Sequence, residues 1–336
     1  MSKTAVSTII SRMKLRYDYN ITGDADLDAL MLDILNEATK QVKQFLYDGG
    51  VMQDITAQAS FQIIPGQEYR DITKAVIIGD TASFTGIAGD TIDLHVDGTD
   101  YADIDISGAT DIDDVVTAIE AVIAGVASNN ATTGTLQLSS LTTGSTSIVT
   151  IADGTTTAQT VVGDLFSNSD DRTASGITDV DYIISLTERV NQKTIELIPW
   201  QTFRKFYPKP SSNSTTSPDF ASRNAGRIYF GPQPSSYTRI YIDYVKLLTA
   251  MTSASTMPFD EKYDMLAIAQ GRYEYLLWQD PSNRQSIASA REVRDLLKAE
   301  LITLAAKDMR VMAPLGRDFS ELWGPQAPET GDFSAG

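Results

Sequence analysis

Between residues 24 and 47 apolar side chains recur every three to four positions (Leu27, Leu30, Met31, Ile34, Leu35, Ala38, Val42, Phe45 and Leu46), which is one stripe along a helix. Asp24 suits its N-cap, Asp26 and Asp28 suit the positive end of its dipole, and Gly49-Gly50 ends it. A shorter helix is expected over residues 3–17. After Gly50 the period changes. Phe61 to Ile64 followed by Pro65-Gly66 reads as a strand entering a turn, and residues 71–79 as a second strand or extended segment.

From residue 81 to 178 the texture shifts to Thr, Ser, Gly, Ala and Asp, yet it stays patterned. Apolar and polar residues alternate from Thr91 to Asp97, Ile104 and Ile106 continue this after an Asp97-Gly98 turn, and Thr110 with Asp113 resembles a capping box opening a helix through Val115, Val116, Ile119 and Val122 to Val126. Residues 135–139 and 147–151 read as further strands, so the stretch is expected to be a small α+β module.

Large side chains return at residue 179 with Tyr182, Ile183, Ile184 and Leu186, then 194–198, then the aromatic run Trp200, Phe203, Phe206 and Tyr207. The two strands 227–230 and 238–245 read as an antiparallel hairpin joined through Gln233-Pro234-Ser235. Pro258 suits a first helical turn, the helix runs to Gln279 before Asp280-Pro281, and Ser282 with Gln285 forms a capping box for a last helix to about Lys307, lined by Ile287, Val293, Leu297, Leu301 and Leu304. Beyond Asp308 the periodicity stops, but Leu315, Phe319, Leu322 and Trp323 remain, a composition suited to ordering against another chain.

Composition narrows the chemistry. Cysteine is absent and histidine occurs once, which removes disulfides, thiolate nucleophiles and two-histidine metal sites within one chain. The net charge of −17 argues against binding along DNA phosphates, and residues 81–178 hold 14 acidic residues against one arginine, so −13 falls there and −4 on the rest. No apolar run reaches the roughly 20 residues that cross a bilayer, and the N-terminus does not read as a signal peptide, so synthesis in the cytoplasm and no membrane partner are expected.

The candidate chemical residues have bland readings beside the sharp ones. His95 could serve a triad with Ser and Asp, but between Asp93 and Asp97 it reads as a solvated strand face. Asp97, Asp100, Asp103 and Asp105 could suggest calcium, but their spacing departs from an EF-hand loop and reads as an acidic surface. Asp113-Asp114 could be glycosidase acids, though Asp113 is already assigned to a cap. The aromatics Trp200, Phe203, Phe206 and Tyr207 with Arg204 and Lys205 could stack sugars or bases, against a core-plus-rim role. No catalytic, cofactor or metal residue is assigned, and no enzyme activity is expected.

In their order, five segments (the helix Leu27 to Leu46, FQIIPGQEYRDI, IELIPWQTFRKFYP, RIYFGPQPSSYTRIYIDYVKL and MPFDEKYDMLAIAQGRYEYLLW) resemble the head-to-tail adaptor proteins of tailed bacteriophages. The resemblance implies a helical-bundle core, a ring of about twelve copies beneath the portal, and a C-terminal arm docked on the portal. The partners it implies are further copies of the chain, the portal and tail or nozzle proteins, with DNA only as passing cargo. The 81–178 stretch is similar to small surface modules of some flagellar hook and phage tail proteins. The expected architecture is therefore α+β: an adaptor core of residues 1–80 and 179–308 with a small antiparallel β element, an inserted module at 81–178, and an extended arm at 309–336 anchored by Leu315, Phe319, Leu322 and Trp323. Leu27, Ile34, Phe45, Trp200, Phe203, Phe206, Tyr273, Trp278, Leu297 and Leu301 are the candidates for subunit packing. The implied function is a structural subunit of the virion neck that joins portal to tail and lines the DNA passage. A tail-associated receptor- or carbohydrate-binding protein and a hydrolase using His95 are the rival readings.

Overall fold

A computed structural model describes residues 3–17, 25–51, 55–157, 160–189, 191–209, 214–215 and 217–312. The chain opens with helices α1 (Val6–Arg16) and α2 (Ala25–Asp48) and strands β1 (Thr56–Gln62), β2 (Tyr69–Asp71), β3 (Val76–Ile78), β4 (Thr91–Val96) and β5 (Thr99–Asp105). Helix α3 (Ile112–Val122) is followed by β6 (Ala127–Asn129), β7 (Leu136–Ser139), β8 (Ile148–Asp153), helix α4 (Val161–Leu165), β9 (Thr173–Ser175), β10 (Val180–Glu188) and β11 (Thr194–Leu197). Then come α5 (Trp200–Phe206), β12 (Ser214–Thr215), β13 (Phe220–Asn224), β14 (Arg227–Gly231), β15 (Gln233–Pro234), β16 (Arg239–Lys246), α6 (Asp264–Gln279) and α7 (Arg284–Met312). Two compact units result: Met1–Ile55 with Thr249–Gly336, and Thr56–Leu248.

The first unit is helical. Along α2 the buried positions Met31, Leu35, Ala38, Val42 and Leu46 keep the three-to-four spacing of the sequence pattern, and α1 buries Val6, Ile9, Ile10 and Met13. Helix α6 packs against α1, α2 and α7 and is buried continuously from Leu266 to Gly271. Gly271 permits that closeness: a Cβ there would lie 2.9 Å from the Tyr17 hydroxyl and 3.2 Å from Ile34 Cγ2. Tyr17 stacks on Tyr275 with ring centroids 5.6 Å apart. Helix α7, about 44 Å long at the usual rise, starts from Asn283, whose side chain accepts the Ser286 N–H; the expected Ser282 instead hydrogen-bonds Asp280.

The second unit overturns the expectation of a helical-bundle core with a minor β element. Its centre is a seven-stranded sheet in the order β1-β16-β10-β11-β13-β14-β2, antiparallel except between β11 and β13. Edge strands β1 and β2 are consecutive in sequence. Six intervening spacings of about 4.8 Å would part them by about 29 Å in a flat sheet, whereas Gln62 to Tyr69 spans at most about 25 Å fully extended and contains a turn. The sheet therefore curls, enclosing Phe61, Leu186, Ile195, Ile228, Phe230, Ile240 and Ile242. The buried Arg70 guanidinium secures the closure, donating to the carbonyls of Gln62 (3.1 Å), Asp71 (2.5 Å) and Lys74 (2.7 Å).

The expected hairpin of 227–230 with 238–245 is also corrected. β14 pairs with β13 and β2, and β16 with β1 and β10, so three strands lie between them. The true hairpin is β13 to β14, turning through Ala225 (φ 49°) and Gly226 (φ 79°), the primed geometry that glycine favours.

Residues 75–166 form a separate apolar cluster between a three-stranded sheet (β3-β7-β6), a four-stranded sheet (β5-β4-β8-β9) and helices α3 and α4. Ile92, Leu94 and Val96 point inward, as the alternation predicts, and Asp97 and Gly98 both take positive φ in the tight turn. The cap of α3 lies one residue later than expected: Asp111 accepts the Asp114 N–H, while Thr110 bonds the Asp114 carboxylate through its own N–H and hydroxyl.

Candidate interaction surfaces

Helices α6 and α7 expose several large apolar side chains. Trp278 is 70% exposed, Leu296 65%, Val293 48% and Leu277 41%, and among the described side chains of α7 only Ala290 is a buried apolar residue. The other packing candidates of this unit are half-buried: Leu27, Ile34, Phe45, Tyr273, Leu297 and Leu301. Two of them are capped by cations, with Arg294 4.5 Å above the Tyr273 ring and Lys298 4.1 Å from the Phe45 centroid. A groove of about 290 Å³ runs between α6 and α7, lined by Ala269, Arg272, Gln285, Ser289 and Val293.

The second surface grows from α5. Phe203 is wholly buried within its own unit, Trp200 is half-buried, and Phe206 is 67% exposed. Alternation along β14 buries Ile228 and Phe230 and turns Tyr229 to the opposite face, where it meets Trp200 at 4.6 Å and Tyr69 at 5.5 Å. The ring contacts continue from Trp200 through Phe203, Tyr207 and Phe220 to Phe206. Arg204 lies 4.7 Å above Trp200, and Arg227 4.4 Å above Tyr69. The sequence run showed Trp200 to Tyr207; Tyr69, Tyr229 and Arg227 were legible only as the polar-face partners of alternating strands.

The acidic residues of the 81–178 stretch do not converge. Asp97 accepts the N–H groups of Leu141 (2.8 Å), Thr142 (2.9 Å) and Ile148 (3.2 Å). Its slight burial, which alone would raise its pKa, is outweighed by these donors and the Thr142 side chain, and the carboxyl sits below the usual range. Asp103 binds Thr155, Thr156 and Thr91, and the Thr155 hydroxyl above all holds it low. Asp105 closes a turn onto Ser107, and Asp113, which the sequence placed in the cap, accepts from Asn129. Each carboxylate fastens its own loop, and among the described residues no three His, Cys, Asp or Glu side chains gather to hold a metal ion. His95 lies 2.6 Å from Asp100, whose side chain is 86% exposed, on the β4–β5 hairpin.

This stretch is latched to the seven-stranded sheet within the same unit. Buried Asp171 accepts from Arg239 Nε at 2.9 Å, and Arg189 lies 3.2 Å from Asp170 and 3.7 Å from Asp171. Beside the latch, a groove of about 390 Å³ is lined by Ser60, Phe61, Ser175, Gly176, Arg239 and Tyr244.

The family model described as SU10 adaptor protein matches residues 98–318, from the β4–β5 turn through five of the seven strands of the large sheet, all but its edges β1 and β2, and the whole of α7. The chain belongs to the SU10 adaptor protein family. It is thus a phage structural adaptor, a component of the virion that works through contacts with other virion proteins. No curated protein matches this SU10 adaptor protein. The match takes in most of the 81–178 stretch, the α6–α7 face and, apart from Tyr69, the aromatic surface around α5. Among the described residues, no helix of this SU10 adaptor is long and apolar enough to cross a membrane. The proposed arm anchors Leu315, Phe319, Leu322 and Trp323 lie outside the described residues, and helix α7 carries the chain to Met312, past the expected start of the arm at 309.

Proposed function

We propose that this adaptor assembles as a ring, of about twelve copies by its resemblance to neck proteins, beneath the portal of a tailed phage, joining portal to tail and surrounding the DNA passage. The observation that carries this reading is the α6–α7 face. Trp278, Leu296 and Val293 stand in solvent on neighbouring helices, and exposed large apolar side chains, tryptophan above all, suit a surface that another chain covers. The net charge of −17 supports the same role, since a channel with acidic walls repels phosphates and lets DNA slide. In this reading the chain acts through shaped surfaces and performs no bond chemistry. The 81–178 stretch forms an outward module, and residues 309–336 dock on the portal through Leu315, Phe319, Leu322 and Trp323.

Portal co-sedimentation tests it with three proteins: the full chain, a truncation after residue 308, and Trp278→Ala. The full chain should co-sediment with the portal, the truncation should stay in the supernatant while keeping its melting temperature, and Trp278→Ala should bind with fewer copies per portal. Undiminished binding by both variants would refute the assignment of these surfaces.

A further inference from the structure

In a chain of net charge −17, the stretch from Lys193 to Arg227 runs the other way, with six basic residues against Glu196 and Asp219. Two of its arginines carry unusual surroundings. Arg204 lies on Trp200 and donates to the Pro208 carbonyl, and Arg227 lies on Tyr69; neither guanidinium meets a carboxylate among the described residues. Elsewhere in the same unit it is a half-buried arginine that meets acids, Arg189 on Asp170, while exposed Arg223 donates to the carbonyls of Val180 and Asp181. Guanidinium groups held over Trp and Tyr rings leave N–H donors for a partner, and the exposed Phe206 and Lys205 extend the patch. Trp, Tyr and Arg together are the residues that dominate protein interfaces.

We propose that this patch is a socket for the acidic 81–178 stretch of a second copy of the chain. The inference rests on the ring reading above and names the two surfaces that meet in it. Charge complementarity argues for this occupant: the stretch carries −13, and exposed Asp100 and Asp105 stand on β5, an edge strand, with exposed Asp113 on α3, which packs beside it. A nucleic acid is the poorer fit, because three clustered cations on a strongly acidic protein give phosphates little net attraction. Since socket and acidic edge are different surfaces, their contact is head-to-tail, the type that closes rings.

Complementary charge reversal tests the proposal on the full-length protein with its portal, read as copies per particle by mass photometry. One variant combines Arg204→Glu with Arg227→Glu, and the other combines Asp100→Lys, Asp105→Lys and Asp113→Lys. Each alone should need a roughly tenfold higher concentration to assemble, whereas an equimolar mixture should restore wild-type assembly, because each reversed surface then meets its opposite. Arg204→Gln with Arg227→Gln, which puts no like charge in the socket, should lose less. Wild-type assembly by either reversed variant alone overturns the proposal. So does a mixture that fails although both variants keep the wild-type melting temperature, and so does a patch variant that assembles normally but loses binding to a single-stranded oligonucleotide. In all three cases the ring reading stands; wild-type protein that never assembles removes both.

Discussion

Arg70 offers the sharpest test of how the seven-stranded sheet closes. The residue is 3% exposed and its guanidinium bonds three main-chain carbonyls, one at the end of β1, one at the end of β2 and one in the β2–β3 link, so it fastens the two sheet edges that the short 63–68 segment brings round. Replacing it with alanine takes a donor from each of these acceptors, of which the Asp71 carbonyl keeps the Lys74 N–H at 3.3 Å. Leaving a buried acceptor unpaired costs about 1–3 kcal/mol each, and relief of the buried charge's desolvation offsets part of the sum. We expect a net loss of about 3–4 kcal/mol. For a unit the size of Thr56–Leu248 this lowers the melting temperature by roughly 10 °C at about 2–4 °C per kcal/mol. Arg70→Lys, which can reach fewer carbonyls, should fall between. Burial pushes the Arg70 pKa down to about 10, opposed by Asp71, so the group stays charged at neutral pH and the loss should not vary between about pH 5 and 8. Calorimetry of the three proteins measures this, with hydrogen exchange across residues 60–78 locating the opening. A melting temperature for Arg70→Ala within 2 °C of the parent would refute the closure argument.

Other outcomes follow from the same geometry. Gly271→Val should destabilise the helical unit by about 1–3 kcal/mol despite its better backbone entropy, because its Cβ meets Tyr17 and Ile34, and thermal unfolding checks it. Arg239→Ala should cost about 2–4 kcal/mol by leaving buried Asp171 short of a partner, visible as faster exchange at residues 169–176. Asp97 has a folded pKa below its unfolded value, so its contribution is present above about pH 4 and is lost as pH falls through the lower folded pKa. Asp97→Asn, which tolerates the positive φ but has one acceptor oxygen fewer, should lower the melting temperature at pH 7 and flatten this acid dependence.

Local pattern was legible in the sequence and long-range pairing was not. The stripe from Leu27 to Leu46 gave α2, and the alternation from Thr91 gave β4, because a 3.6 or 2.0 period is a property of neighbouring residues. The strands at 180–188, 194–197 and 239–246 were visible singly, but nothing in an alternating strand says which other strand it joins. Gln233-Pro234-Ser235 therefore looked like a hairpin turn, when the pairing turn was Ala225-Gly226, and the sheet was read as a small element attached to helices. Side-by-side cap formers, Thr110 and Asp111, shifted the α3 start by one residue. For the interaction surfaces, exposed Phe206 stands out in the aromatic run and Trp278 in a segment that carries the family resemblance, whereas Tyr69, Tyr229 and Arg227 meet only once strands distant in sequence are paired.

Mass photometry of the purified adaptor, alone and with its portal, tests the central claim most directly. The account predicts portal particles whose mass rises by a fixed multiple of 36.6 kDa, near twelve chains. A population that remains single chains beside an unchanged portal would contradict it.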